Sequence, residues 1–195
     1  TGVVGARTLL FSSAGLTPDT SAAVTVTAGV ATQIAINAGN GQSAAVNTAV
    51  ATPPSAIVRD VSNNPVAGVS VSFAVAGGGG SILPVTPVVS NASGIAALTS
   101  WTMGTVAGPN SITAASGTLI GSPVTFTATG TAGAATQLQV ATQPSPTAQS
   151  GVAFAVQPAI RLADALGNPV ATSGTVVTAA IGSGITSTRR APAPS

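Results

Sequence analysis

The phrase Asp164–Ala171 (DALGNPVA) decides how this sequence is organised, because the earlier stretch Asp60–Ala67 (DVSNNPVA) has the same form. Asp, Asn, Pro, Val and Ala occupy matching positions at a constant offset of 104 residues. The triplet Ala-Thr-Gln at 31–33 recurs at the same offset, at 135–137. Three landmarks at one spacing indicate an internal repeat, and the period matches the size of an ordinary domain.

The inventory of reactive side chains argues against catalysis. Charged residues make up only 4% of the 195 residues, five Arg and three Asp, with no Lys, Glu, His, Cys or Tyr. Nucleophilic catalysis needs a base to activate a Ser or Thr hydroxyl, and neither His nor Lys is present. Two-carboxylate hydrolysis needs two acids close together, whereas the repeat puts Asp60 and Asp164 in equivalent turns of different modules. The usual zinc and iron ligands are also missing. The sequence therefore predicts no enzyme, no metal site and no cofactor.

The charge pattern argues against two classes of partner. A net charge of +2 makes no basic stripe, so the sequence predicts no nucleic-acid binding. The one local basic cluster, Arg189-Arg190, sits in a Pro-rich tail and is interpreted as a solvated end. Polar residues or Pro interrupt every apolar run before it reaches the length of a membrane-spanning helix, so no membrane insertion is predicted.

Alternation with a period of two residues dominates the chain. Val69–Val75 (VSVSFAV) and Val124–Thr129 (VTFTAT) place large apolar side chains on one face and small or hydroxyl side chains on the other. Thr and Val favour strands, and no apolar stripe at helical spacing persists. The pattern predicts an all-β fold with strands near 31–37, 44–51, 55–61, 69–76, 94–101, 109–115 and 122–130, and a weaker one near 86–90. Two further strands are expected at Thr8–Ser13 and Ala22–Ala28.

The repeated phrase falls between two predicted strands and has the chemistry of a turn. Asp accepts hydrogen bonds from backbone N–H groups two residues further on, Asn and Gly tolerate left-handed backbone angles, and Pro fixes φ. A calcium site is the competing interpretation, but the phrase offers one carboxylate where calcium takes several oxygen ligands. We therefore predict structural turns whose key residues are Asp60, Asn64, Pro65, Asp164, Asn168 and Pro169.

Three other features suggest functions and have simpler readings. The stretch Ala76–Ser81 (AGGGGS) lacks the Lys and the following helix of a phosphate-binding loop, so we predict a flexible turn. Asn91-Ala92-Ser93 matches the acceptor pattern for N-glycosylation, which makes Asn91 a possible glycosylation site. Trp101, the single Trp, is expected to pack in the core rather than to serve as a sugar platform.

These motifs resemble the bacterial immunoglobulin-like domains of the invasin and intimin type, which occur as tandem repeats in surface adhesins. The resemblance rests on the Ala-Thr-Gln entry strand, the Asp-x-x-x-Asn-Pro-Val-Ala turn, the strand Val69–Val75, the stretch Asn91–Ala96 (NASGIA) and the closing VTFTATG. Asn91 stands where the family often has Asp. The resemblance covers nearly the whole chain and implies tandem immunoglobulin-like antiparallel β-sandwiches.

The repeat phase divides the chain into three sections. Residues 31–132 form one complete repeat, here called the complete module; residues 1–30 match the closing strands of a repeat, and residues 133–195 match the opening strands of another. Neither terminal section contains a counterpart of 86–103. Two explanations remain open: the chain is part of a longer tandem array, or the carboxy-terminal section of one copy is completed by the amino-terminal section of the next.

The sequence therefore predicts an extracellular or cell-surface structural protein, acting as a stalk, an adhesin segment or a head-to-tail fibre. Copies of itself or flanking repeats are the expected partners. Two alternatives stay open: a ligand-binding adhesin module that grips a carbohydrate or a host protein, and a phage or virus surface decoration domain.

Overall fold

The protein is all-β in the part of the chain that the structure, a computed structural model, describes: residues 2–172 and 174–180. No helix is assigned among these residues, and none of them belongs to a helix long and apolar enough to cross a membrane. The Arg189-Arg190 pair of the tail lies outside the described residues. The predicted fold class, all-β, is confirmed.

The strands of the described residues are short and follow one another closely. In chain order they are β1 (Gly5–Arg7), β2 (Leu10–Phe11), β3 (Asp19–Thr20), β4 (Val24–Val26), β5 (Ala31–Ala38), β6 (Gln42–Ala45), β7 (Ser55–Asp60), β8 (Ser70–Gly77), β9 (Ser81–Leu83), β10 (Val88–Val89), β11 (Ile95–Ala97), β12 (Ser100–Thr102), β13 (Gly108–Ala115), β14 (Val124–Thr131), β15 (Gln137–Thr142) and β16 (Ala159–Ala163).

The complete module consists of two main sheets and one short strand pair. One sheet has five strands in the order β10-β8-β13-β14-β6, the other has three in the order β11-β7-β5, and β12 pairs with β9. The pairings are antiparallel except for that of β14 with β6, which is parallel. Residues of both main sheets contribute to one hydrophobic cluster, so the sheets pack face to face.

The core forms because inward and outward side chains alternate along the strands. On β14, Phe126 and Ala128 are buried while Thr125 and Thr127 are exposed. The ring of Phe126 lies 6.4 Å from that of Phe73 on β8, a tilted aromatic pair. The largest fully buried side chains are Trp101, Phe126, Met103, Ile112, Val58, Val71 and Pro54. Trp101 is thus a core residue, as expected.

Within the complete module, the predicted strands differ from the observed ones in three places. The strand predicted at 44–51 is wrong beyond its first two residues, because β6 ends at Ala45. The N–H groups of Val46 and Val50 bond to Thr131 and Trp101, which lie in different elements. The strand predicted at 94–101 is divided into β11 and β12, which pair with different partners. Strand β9, just after the Gly-rich turn, was not predicted at all.

The terminal sections repeat strand pairs of the complete module, and the carboxy-terminal pair keeps the same register. In β15–β16, Leu138 lies opposite Leu162, just as Ile34 lies opposite Val58 in β5–β7. Strand β1 pairs with β4 as β13 pairs with β14, with a glycine near the start of each hairpin. The expected strand at Thr8–Ser13 is shorter than predicted, since only β2 falls within it.

Removing the Phe126 ring should destabilise the complete module. Phe126→Ala leaves a cavity next to Phe73, and we expect a loss of about 3–5 kcal/mol in the free energy of unfolding. Urea denaturation followed by the fluorescence of Trp101 measures it. Val85→Ala, at a position 78% exposed, is the control and should change the free energy by less than about 0.5 kcal/mol. A cost for Phe126→Ala as small as that of the control would contradict the assigned core.

Candidate functional site

The repeated phrase forms a tight turn after β7, closed by the side chain of its Asp. The Asp60 Oδ1 atom accepts hydrogen bonds from the backbone N–H groups of Ser62 at 2.9 Å and Asn64 at 2.8 Å. The backbone N–H of Asp60 in turn donates to the Asn64 carbonyl oxygen at 2.9 Å. Asn63 adopts a φ of 67°, the left-handed conformation that Asn tolerates better than most residues. We call residues 60–65 and their counterparts 164–169 the junction turns.

The second junction turn repeats these bonds. The Asp164 Oδ1 atom accepts from the N–H groups of Leu166 at 2.9 Å and Asn168 at 2.8 Å. Gly167 takes the left-handed position with a φ of 86°, which explains why the sequence has Asn in one copy and Gly in the other. Pro169 then forms an antiparallel bridge with Ala163, returning the chain to the strand before the turn.

The second oxygen of each carboxylate holds the segment that leads into the module. The Asp60 Oδ2 atom accepts from the N–H of Gly29 at 2.8 Å, and the Asp164 Oδ2 atom accepts from the N–H of Gly133 at 2.9 Å. These glycines lie between the last strand of one repeat and the first strand of the next, at β4–β5 and β14–β15. Each Asp therefore fixes the turn to the linker.

The Gln of the repeated Ala-Thr-Gln triplet belongs to the same site. The Gln33 side-chain amide donates to the Asp60 carbonyl oxygen at 3.0 Å, and Gln137 donates to the Asp164 carbonyl oxygen. The three landmarks of the sequence repeat thus meet in one place. The sequence identifies Gln33 and Gln137 as repeat landmarks but does not predict this role.

The Asn of each junction turn reaches across to the preceding repeat. The Asn168 Nδ2 atom donates to the Thr105 carbonyl oxygen at 2.9 Å, and the Asn168 Oδ1 atom accepts from the Ala107 N–H at 2.7 Å. The amide group thus pairs with the Thr105 carbonyl and the Ala107 N–H in a loop of the complete module. A neighbouring strand would otherwise supply partners of this kind. A third bond, from Nδ2 to Asp164 Oδ2 at 2.9 Å, orients the amide.

Asn64 makes the same contacts one repeat earlier. Its Nδ2 atom donates to the Gly2 carbonyl oxygen and to Asp60 Oδ2, and its Oδ1 atom accepts from the Val4 N–H at 3.3 Å. We call residues 2–4 and 105–107 the docking loops. Neither docking loop could be identified from the sequence, because a docking loop contributes only backbone atoms.

Hydrogen bonds keep the two buried carboxylates ionised, although burial opposes ionisation. Asp60 and Asp164 are each 3% exposed. For Asp164, burial raises the pKa, but bonds from Asn168, Gly133 and Leu166 outweigh it and lower the pKa to about 2. For Asp60, the bond from the Asn64 side chain is the largest cause of a lowered pKa. The hydrogen-bond network of each junction turn is therefore organised around an ionised Asp carboxylate.

The remaining candidate residues lie outside the junction. Asn91 is exposed in the turn between β10 and β11, where its Oδ1 atom accepts from the N–H groups of Ser93 at 2.9 Å and Ile95 at 3.1 Å. Its glycosylation stays a prediction. The Gly-rich turn joins β8 to β9, with Gly78 to Gly80 all at positive φ.

Comparison with known proteins finds similarity to solved structures only. No family model and no curated protein sequence matches the chain. The structure of FdeC, an Escherichia coli adhesin, matches with a TM-score of 0.48 and 17% identity, over 76% of this chain and 46% of that one. The S-layer protein SbsC matches with a TM-score of 0.40 and 20% identity, over 89% of this chain and 21% of that one. The chain thus spans less than half the length of either protein.

Acid should loosen the junction turns. Native Asp164 stays ionised down to about pH 2, whereas the unfolded chain protonates near 3.8, so the folded form binds fewer protons between these values. The stabilisation is complete above the unfolded pKa and should be lost as the pH falls from about 4 to about 2. Asp60 shifts in the same direction. Urea denaturation at several pH values measures the loss, and in the Asp60→Asn, Asp164→Asn double variant the slope between pH 4 and 2 should flatten. An unchanged slope in that variant would contradict the assignment.

Calcium should have no effect on the melting temperature. Backbone and amide N–H groups already occupy the oxygens of Asp60 and Asp164, and no group of three metal-binding side chains occurs within the described residues. Differential scanning calorimetry with calcium, and separately with a chelator, should give the same curve. A shift of many degrees with the chelator would mean that these turns bind a metal.

Proposed function

We propose that this chain is a non-enzymatic structural protein of the cell exterior, built from tandem immunoglobulin-like β-sandwich modules that act as a stalk, an adhesin segment or a fibre. The observation that carries the proposal is the junction turn, which occurs twice and contacts the preceding repeat in the same way both times. A turn that only connected its own two strands would not need the hydrogen bonds between the Asn side chain and the docking loop. The mechanism is mechanical: each junction fixes one module relative to the next.

The polar groups of the site support a structural role rather than a chemical one. Asp60 and Asp164 are buried, ionised and saturated by N–H donors, so neither is positioned to take a proton from a substrate. The hydroxyls of Ser and Thr lack a neighbouring His or Lys, since the sequence contains none. The resemblance to bacterial surface repeats supports a location outside the cell.

The junction also has the features of a joint that resists bending. Four independent groups converge on each Asp: two turn N–H groups, the linker N–H and the Asn side chain. Breaking the contact to the docking loop would exchange the hydrogen bonds of Asn168 with Thr105 and Ala107 for bonds to water, at a net cost of about 0.5–1.5 kcal/mol for each bond. A module that swings away from its neighbour therefore pays a free-energy penalty.

Replacing either junction Asn should uncouple the repeats it joins. In nuclear magnetic resonance relaxation measurements on dilute wild-type protein, we expect residues 137–163 to share the rotational correlation time of the complete module. Asn168→Ala should give 137–163 a shorter correlation time and speed the amide exchange of Ala107. Asn64→Ala should affect residues 2–26 instead, so each variant controls for the other.

Asn40→Ala serves as a matched control for these variants. Asn40 accepts hydrogen bonds from the backbone and hydroxyl of Thr127 within the complete module and takes no part in a junction. It should leave the coupling of the repeats unchanged. Correlation times that stay equal in both Asn64→Ala and Asn168→Ala would overturn the proposed structural role of the junction.

A further inference from the structure

Asn110 is a buried polar side chain outside the junction turns. It takes the first buried position of β13, ahead of Ile112 and Ala114, and is only 2% exposed. An amide at such a position destabilises the core unless it is hydrogen-bonded. Its hydrogen-bond partners therefore indicate its role.

Both partners of Asn110 lie at the ends of the docking loop 105–107. The Asn110 Oδ1 atom accepts a hydrogen bond from the Gly104 N–H at 3.0 Å, and the Nδ2 atom donates to the Gly108 carbonyl oxygen at 3.1 Å. Gly104 directly precedes the loop and Gly108 directly follows it. The two backbone groups that Asn168 binds lie between these ends. One amide group in the complete module therefore fixes both ends of the loop that the next repeat contacts.

The Gly-rich turn between β8 and β9 packs against the same end of the loop. A Cβ atom on Gly104 would overlap the Gly78 carbonyl oxygen, and a Cβ atom on Gly78 would lie 2.6 Å from the Asn110 Cγ atom. Neither position has room for a side chain larger than hydrogen, so the backbones of the turn and the loop are in direct contact. The turn thereby limits the positions that the Asn110 amide and the start of the loop can take.

The amino-terminal section has a polar side chain at the matching position. Arg7 pairs with Val24 in the β1–β4 hairpin. Asn110 pairs with Ala128, which follows Val24 by the repeat offset of 104 residues. The Arg7 Nη2 atom donates to the carbonyl oxygen of Val3, the central residue of the docking loop 2–4, at 3.2 Å. Each docking loop is thus bonded by a side chain from the same place in its hairpin.

We propose that Asn110 is a positioning residue of the junction, which holds the docking loop 105–107 in the shape that Asn168 binds. The inference rests on the proposed function, because it takes this loop as the surface on which the next repeat docks. A loop that already has the bound shape loses less conformational entropy when the contact forms, so the contact is stronger. Arg7 has the corresponding role for the loop 2–4.

Nuclear magnetic resonance relaxation without the Asn168 amide tests whether Asn110 shapes the loop by itself. In the full 195-residue chain carrying Asn168→Ala, the backbone order parameters of residues 105–107 should stay near about 0.85, the value of a rigid backbone. In the double variant Asn110→Ala, Asn168→Ala they should fall below about 0.6. A loop that already loses its order in Asn168→Ala, or that keeps it in the double variant, would overturn the proposal.

The coupling of the repeats tests whether the shape of the loop matters for the junction. With Asn168 intact, Asn110→Ala should speed the amide exchange of Ala107 at least about tenfold and shorten the correlation time of residues 137–163. Ser116→Ala is the matched control, because it removes a buried hydrogen bond, from the Ser116 hydroxyl to the Ser70 carbonyl oxygen at 2.7 Å, just beyond the opposite end of β13. It should leave both readouts unchanged, which distinguishes positioning from a general loss of stability.

A second variant guards against misfolding. Trp101 fluorescence, which reports the buried core of the complete module, verifies that each variant is folded. If Asn110→Ala does not fold, Asn110→Asp takes its place in both experiments. An ionised carboxylate has nearly the same shape and accepts from the Gly104 N–H, but it cannot donate to the Gly108 carbonyl. The same loosening of residues 105–107 is expected.

The two proposals can fail separately. If Asn168→Ala uncouples the repeats and Asn110→Ala does not, Asn110 is not a positioning residue, while the proposed function stands. If Asn168→Ala leaves the repeats coupled, the proposed function fails. The order parameters of residues 105–107 then decide alone whether Asn110 shapes the loop.

Discussion

The whole arrangement depends on a buried carboxylate that is shared between a turn, a linker and a neighbouring repeat. One oxygen of Asp164 closes the turn, and the other holds Gly133 and the Asn168 amide. A buried anion is tolerated only when donors satisfy it, so the donors must be in place together. The shape of the turn, the path of the linker and the direction of the Asn side chain are therefore set jointly. This coupling connects an ordinary side-chain cap to the linker and to the docking loop.

The sequence predicted the parts of the fold that depend on local chemistry. Period-two alternation identified strands such as β8 and β14, because side chains on a strand point alternately to the core and to water. It failed at 44–51, where apolar residues are buried singly by loop contacts rather than along a strand. The parallel pairing of β6 with β14 also could not be predicted, because only the fold of the whole module brings residues 42–45 and 128–131 together.

Only part of the candidate site could be predicted from the sequence, for a similar reason. Asp60, Asn64 and Pro65 could be identified as turn residues because their side chains have specific preferences that sequence patterns record. Gly29 and Gly133 recur at the repeat offset and could have been added to the site on that signal. The docking loops carry no such mark, because a backbone N–H or carbonyl group is present at almost every position. The sequence therefore indicated which residues form the turn but not which backbone groups of the docking loop bind to it.

Recognition of backbone atoms makes the junction asymmetric. The later repeat needs Asn, whose short side chain is both a donor and an acceptor, whereas the earlier repeat needs only a loop of the right backbone shape. The bonded positions accordingly differ in side chain, with Gly2 and Val4 in one docking loop and Thr105 and Ala107 in the other. Side chains of the docking loop are free to vary without changing the bonds that are made. The same two bonds can therefore form with loops that differ in sequence, provided that the turn keeps its Asp and Asn.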